Sequence, residues 1–396
     1  MALTAKTILF AWELGEGLGH LPALKAIALA AKAEGARVVF ALREPAPSRA
    51  ALVEIGAQVL QAPFWPAPAL PAKPSGSYAD LIAANGFASV ANAQSLIGDW
   101  DKLFDTVKPD LIVCEHAPGA AVAAFGRIPV AVVGNGFVVP PADGATFPPF
   151  EVGRGDAALQ GAVLDVVREA LTSLGRRAPA ELCEPFRGVF RGVFAFPALD
   201  PYRGRRLEAV LGPVEPMPAL RPLHATRKLF AYSAADAAMI EPMTLAFMTL
   251  GPRASVYLRG SLGARAAVLR SRGVTVHETA PSLAVVLPEM SAVFSHGGSG
   301  FTHAALAAGR PHIVYPRHGE AYYTARALVE MGAGIVLNPF DPKRFAEAVV
   351  RANEDVALRD AAQKAGAGAQ NFLRDAKPIE TAIVALRRAL ASAGGL

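Results

Sequence analysis

His296-Gly297-Gly298-Ser299-Gly300 is a polar, glycine-rich pentad placed where an apolar run (residues 292–294) gives way to an Ala-rich helical stretch that ends near Ala308 and Gly309. A strand that turns directly into a helix leaves the first helical amides without partners and aims the positive end of the helix dipole at the turn. Glycines let a ligand approach the backbone closely, so such a turn can hold an anion such as a phosphate. For one such turn taken alone, a glycine-rich loop with no ligand is the alternative. Pro311 then opens a second apolar run, 312–315, which completes a strand–turn–helix–strand unit of an α/β sheet.

A second candidate lies near the start. Residues 7–12 read as a strand and lead into Glu13-Leu14-Gly15-Glu16-Gly17-Leu18-Gly19-His20; a helical pattern over 21–34 and a strand over 37–42 follow. Gly15-x-Gly17-x-Gly19 has the outline of a dinucleotide loop. Glu13 and Glu16 would set negative charge beside a pyrophosphate, however, and the helix opens with His20 rather than a close-packing glycine, so that reading is rejected. Histidine suits proton transfer, because an ordinary pKa of about 6.5 leaves it mostly neutral near neutral pH. A carboxylate is needed to hold one tautomer. Glu115 ends the apolar run 111–113, at the strand end where α/β sheets place their ligands. The plainer readings are a helix-start histidine with a local hydrogen bond, and a carboxylate that is solvated in a loop or paired with His116.

The order of residues from 291 to 334 resembles the donor-binding motif of GT-B fold, nucleotide-sugar-dependent glycosyltransferases of the UDP-glycosyltransferase-like family. That motif runs as an apolar strand, His-Gly-Gly, a small residue, Gly, a hydroxyl residue, Ala-Leu, Gly-x-Pro, a Pro-ended strand and an acidic residue. The resemblance implies that His296, Gly298, Ser299, Gly300 and Thr302 hold the donor diphosphate, with Ser233 as a further hydroxyl. It makes Glu320 the sugar-binding carboxylate, with His318 beside it. The strand, glycine loop and Gly-His at the amino end look like the acceptor-side loop of the same family, in which the histidine is the general base. His20 is then the base and Glu115 its orienting partner, where the family usually has Asp. Phe301 stands where a phosphate-binding Ser or Thr is usual, and Ala321 where a sugar-binding Gln is usual. Thr279 replaces the usual aromatic of the nucleobase loop. These departures put the identity of the sugar and base in question more than diphosphate binding.

The fold implied is α/β GT-B, two Rossmann-like parallel-sheet domains facing each other across a cleft. A chain of 396 residues is long enough for two cores. The expected division is 1–205 for the acceptor side and 206–375 for the donor side, with 376–396 a helix packing back on the first domain. The connection is sought in the Pro-, Gly- and Arg-rich stretch 196–222, and helical patterns are read over about 156–191. The Pro-rich loop 63–74 carries Phe64 and Trp65, candidates for an acceptor wall; a merely rigid loop is equally open. A second Pro- and Phe-rich loop covers 137–150.

Scattered basic residues at a net charge of +5, with no basic run interleaved with aromatics, argue against nucleic-acid binding. No apolar run is long enough to span a bilayer, and peripheral contact with an anionic surface stays open. Two cysteines without metal spacing fit a reducing cytoplasm. Asp99-Trp100-Asp101 has metal-binding spacing, but on a helix positions i and i+2 point apart. No metal or cofactor is expected, only a nucleoside-diphosphate sugar as co-substrate with a small-molecule acceptor. The expected reaction is inverting, metal-independent transfer from a UDP- or dTDP-sugar to a hydroxyl of a lipophilic or aromatic acceptor. The rival readings are a nucleotide-sugar 2-epimerase and a non-catalytic nucleotide-sugar-binding relative. The sequence does not specify oligomeric state.

Overall fold

The computed structural model describes residues 3–66, 75–223, 227–234, 239–260 and 262–393; the end of the Pro-rich loop (67–74) lies outside them. Contacts divide the chain into a unit of Met1–Val214 with Lys377–Leu396 and a unit of Glu215–Ala376.

The first unit is built on strands Thr7–Trp12 (β1), Arg37–Leu42 (β2), Gln58–Gln61 (β3), Leu111–Glu115 (β4), Val130–Gly134 (β5) and Phe190–Val193 (β6). They pair in the order β3-β2-β1-β4-β5-β6, every described pair parallel. Strands covered by helices on both faces read as continuous apolar runs, and β1, β4 and β5 are buried at every position. The Leu21–Ala33 helix packs Leu24, Ile27 and Ala28 onto this sheet. The Pro378–Ala393 helix joins the same core through Ala382, Ile383, Leu386 and Leu390, and Arg387 Nε meets Glu34 Oε2 at 2.7 Å.

Residues 156–191 depart from the expected helix. Helix stops at Ser173, a short turn of helix covers Glu184–Arg187, and Phe190 begins β6. Gly175 and Gly188 adopt φ +68° and +57°, which break the helical path. An aromatic and a valine in a four-residue edge strand are too few to show a period in sequence.

The second unit contains Leu229–Ala234 (β7), Ala254–Arg259 (β8), Thr275–Val276 (β9), Ala292–Ser295 (β10), His312–Val314 (β11) and Gly334–Val336 (β12). The order is β12-β11-β10-β7-β8-β9, again parallel throughout the described pairs. Its core joins Phe247, Val256, Phe294, Ile313 and Phe345.

Specific polar contacts decide where the connecting stretch belongs. Arg206 is buried among acceptors: Nε to Asp200 Oδ2 at 2.8 Å, Nη1 to Glu208 Oε1 at 2.7 Å and Nη2 to the Gly136 carbonyl at 3.1 Å. These contacts fix residues 206–211 to the first unit. Arg310, 2% exposed, donates to the Arg221 carbonyl at 2.8 Å, and Gln370 to that of Pro218 at 2.8 Å. Residues 218–222 are thereby held in the second unit.

Candidate active site

In a parallel sheet the strand order reverses at one place, and the loops there open a crevice at the carboxyl ends. In the first unit this is the β1/β4 border, in the second the β7/β10 border. His20 and Glu115 flank the first border, Ser233 and His296 the second.

In the first unit, register sets Trp12 beside Glu115. Glu13, fully buried, turns inward, and its Oε2 accepts the Gly119 and Ala120 amides at 2.7 and 3.2 Å. The Leu14 amide donates to the His116 carbonyl at 2.9 Å, so the loop after β1 is tied to the loop after β4. Gly15 and Gly17 at φ +87° and +75° reverse the chain into a short helical turn, Leu18–His20, and the Leu21–Ala33 helix begins. His20 Nδ1 thereby lies 3.0 Å from Glu115 Oε1 and 2.9 Å from Oε2, with side chains 11% and 4% exposed. Trp12 stacks on the His20 ring at 5.4 Å.

Gly15 has no room for a side chain, because an added Cβ would lie 2.2 Å from His20 Nε2. Gly15→Ala is therefore expected to push the imidazole off Glu115 and to lower stability by about 1–3 kcal/mol. Urea unfolding checks this; wild-type stability would mean the ring tolerates the displacement.

The aromatic candidates are placed differently. Phe64 lies beneath the Arg43 guanidinium at 4.3 Å, and Trp65 is half-buried against Gly86. Phe137 and Phe150 stack at 4.5 Å as buried core residues. Asp99 pairs with Lys102, and Asp101 with Arg127 and Arg176. No cluster of His, Cys, Asp or Glu suited to a metal occurs among the described residues.

In the second unit, Gly297 at φ +85° turns β10 into the Ser299–Ala307 helix. Its Cα faces Ala321: an added Cβ would lie 3.0 Å from the Ala321 Cβ. Ala321 is fully buried beneath the turn, so a longer residue here would meet the turn itself. Gly298 lies under the His296 ring, and Gly300 beside Glu215, whose Oε2 would be 3.0 Å from an added Cβ. His296 Nδ1 is buried without a hydrogen-bond partner among the described residues. Burial, with His318, Arg317 and Arg259 nearby, holds its pKa down at about 4, so the ring is neutral near neutral pH.

Ser299 Oγ lies 3.4 Å from His303 Nδ1, and burial lowers the His303 pKa to about 4. Thr302 is fully buried and gives its hydroxyl proton to the Gly298 carbonyl at 2.9 Å, so it holds the turn and has no donor left for a phosphate. Phe301 points into the core and stacks on Tyr232 at 5.1 Å. Ser233 Oγ, at the end of β7, is buried without a partner among the described residues. His318 caps the Gly319–Glu330 helix by accepting the Ala321 amide at 3.4 Å, and Glu320 stands in the first turn, half-buried.

A relay absent from the sequence reading shapes the turn. Ser295 Oγ accepts the Gly297 amide at 2.9 Å and lies 2.8 Å from His312 Nε2. The polar pair inside two apolar strands was the signal, but only the β10–β11 register joins its members. The inward turn of Glu13 likewise leaves no trace in the order of residues and follows from the Gly119 and Ala120 amides that it accepts.

Two six-stranded parallel-sheet units, with a His-Gly-Gly turn at one switch point and a His–carboxylate pair at the other, have the topology of the GT-B fold. Residues 272–386 match the family described as erythromycin biosynthesis protein CIII-like, C-terminal domain. The chain is 33% identical over 243 residues to elloramycin glycosyltransferase ElmGT of Streptomyces olivaceus, covering 58% of this chain and 57% of that protein. It is 35% identical over 79 residues to a sterol 3-beta-glucosyltransferase of Candida albicans, or 20% of this chain and 5% of that protein. The chain thus spans little more than half of the first relative and a small part of the second. Among solved structures, CalG4, the calicheamicin glycosyltransferase, superposes with TM-score 0.70 at 19% identity, over 99% of this chain and 100% of that one. Glycosyltransferase VinC in complex with dTDP gives 0.59 at 14%, over 98% and 100%. At these identities the structures speak for the fold. Among the described residues no helix is long and apolar enough to cross a membrane.

Proposed function

We propose that the chain is an inverting, metal-independent glycosyltransferase that moves a sugar from a nucleoside diphosphate to a hydroxyl of a small lipophilic acceptor. The observation that carries the reading is the His20 Nδ1–Glu115 pair, 2.9–3.0 Å apart and shielded from water. With the Nδ1–H donating a hydrogen bond to the carboxylate, Nε2 carries the lone pair. The acceptor oxygen attacks the anomeric carbon from the face opposite the diphosphate and its proton passes to Nε2. The glycosidic bond breaks with its electron pair on the diphosphate, which gains charge as it leaves. The Gly298–Gly300 amides, the helix end and His296 meet that charge where it develops.

Similarity to proteins solved with dTDP or thymidine diphosphate favours a dTDP-linked donor over UDP. The relatives named for elloramycin and sterol favour a polycyclic acceptor. Glu320 and His318 are proposed to bind sugar hydroxyls, Ser233 and Ser299 the diphosphate, and Phe64 and Trp65 the acceptor. Titration calorimetry with dTDP, UDP and GDP tests the donor site. Micromolar binding of dTDP is expected, weakened about tenfold in His296→Ala, the loss of one hydrogen bond to a charged group. No binding of any of the three would remove the donor site, while binding without transfer would favour the non-catalytic nucleotide-sugar-binding relative. Sugar epimerisation without an acceptor would favour the 2-epimerase, which has no use for the His20–Glu115 pair.

A further inference from the structure

The loop after β4 carries a strained residue. His116 directly follows Glu115, is 7% exposed and holds φ +47°, a left-handed conformation that side chains disfavour. Glycine would adopt it freely, yet an imidazole stands there. Three contacts retain it. Its carbonyl accepts the Leu14 amide at 2.9 Å. Its ring stacks on that of His20, with centroids 5.5 Å apart and planes 26° from parallel. Its Nδ1 lies 3.5 Å from the hydroxyl of Tyr78, which is itself 2% exposed and packed edge-on against Phe147 and Phe186.

We propose that His116 is a positioning residue for the His20–Glu115 pair, its ring bracing the imidazole that Glu115 fixes at Nδ1. A hydrogen bond alone leaves an imidazole free to rock about the Nδ1–carboxylate line; stacked rings remove that motion. Trp12 supplies one such ring at 5.4 Å and His116 the other. A phenyl ring could stack equally well, but it would offer nothing to the Tyr78 hydroxyl, and a buried hydroxyl without a partner is unfavourable. The left-handed backbone follows from the same demand. Glu115 must end β4 pointing at His20, and the next ring must turn back to the same imidazole; extended backbone would send successive side chains to opposite faces. The kinetic part of this inference rests on the proposed transferase reading, while the geometric part stands without it.

His116→Asn and His116→Phe separate the ring from the backbone. Asparagine tolerates left-handed φ but removes the ring; phenylalanine keeps a ring. Nitrogen-15 NMR of the imidazoles, with His20→Ala assigning one of the eight histidines, reads the His20 tautomer directly. The wild type is expected to show one tautomer protonated at Nδ1, and the Asn variant an averaged pair. In the Asn variant kcat is expected to fall roughly 10–100-fold, with acceptor KM and nucleotide affinity within about threefold; the Phe variant, which keeps a ring but loses the Tyr78 contact, is expected to fall by less than the Asn variant. Tyr78→Phe, which leaves the His116 ring in place, should shift the His20 signals in the same direction by less. Unchanged His20 signals in both His116→Asn and Tyr78→Phe would overturn the proposal, whatever the rates. Altered signals in an enzyme that transfers no sugar would uphold the positioning role and remove the transferase reading instead.

Discussion

Replacing His20 by alanine is expected to lower sugar transfer by about 10²–10⁴-fold, the usual contribution of a positioned general base. The acceptor hydroxyl would then have to lose its proton to water while attacking the anomeric carbon. Nucleotide affinity should be unchanged, since His20 belongs to the first unit and the His296 turn to the second. The loss therefore appears in kcat and equally in kcat/KM. Glu115→Gln gives a companion result. The amide can present its NH₂ to Nδ1 and favour the tautomer with the proton on Nε2, the nitrogen that must accept. It also cannot stabilise the imidazolium that forms. A loss approaching that of His20→Ala is expected, without loss of fold. Initial rates with a dTDP-sugar and a phenolic acceptor across pH 6–9 decide both. Rates within threefold of wild type in His20→Ala would rule out this base.

The second large effect concerns Glu13. Its carboxyl is fully buried, and desolvation outweighs the Ala120 and Gly119 amides and the Arg43 charge, lifting its pKa to about 8. The reference value is 4.5. Below pH 4.5 both folded and unfolded chains hold the proton and nothing is lost. Between 4.5 and 8 the unfolded chain releases it and the folded chain keeps it, so stability falls as pH rises. Above 8 the loss is complete, with a ceiling of about 5 kcal/mol. Glu13→Gln remains neutral and can still accept both amides, so it should remove most of this slope and stabilise the first unit at pH 8. Trp12, Trp65 and Trp100 all lie in the first unit. Tryptophan fluorescence in urea from pH 5 to 8.5 therefore reports that unit alone. Parallel wild-type and variant curves would show that Glu13 is ionised in the folded chain throughout.

Much of this protein is legible in its residues. β1, β4, β5 and β10 are buried at every position and so read as largely apolar runs, which depend on local composition alone. The short strands β3, β6 and β12 escaped notice: Gln58–Gln61 is half-exposed and polar at both ends, and Gly334–Val336 is three residues at a sheet edge. Such strands are stabilised by pairing with a neighbour, and pairing leaves little trace in a single segment. The His-Gly-Gly turn and the Gly-His loop were also visible, because a close approach of backbone to an anion or a ring admits few residue types.

What the residues could not give was who meets whom. Thr302 passes for a phosphate ligand in sequence, yet a helical hydroxyl four residues after a carbonyl bonds backward to it, and this one does. Ala321 passes for a lost sugar contact, yet it is the floor on which Gly297 rests. His20 and Glu115 are 95 residues apart. Composition and order determined the two sheets and the two loops at their carboxyl ends. Strand register, one left-handed residue and the buried carboxylate of Glu13 decided which atoms of those loops come within 3 Å, because contact between distant segments depends on the packing of the whole sheet.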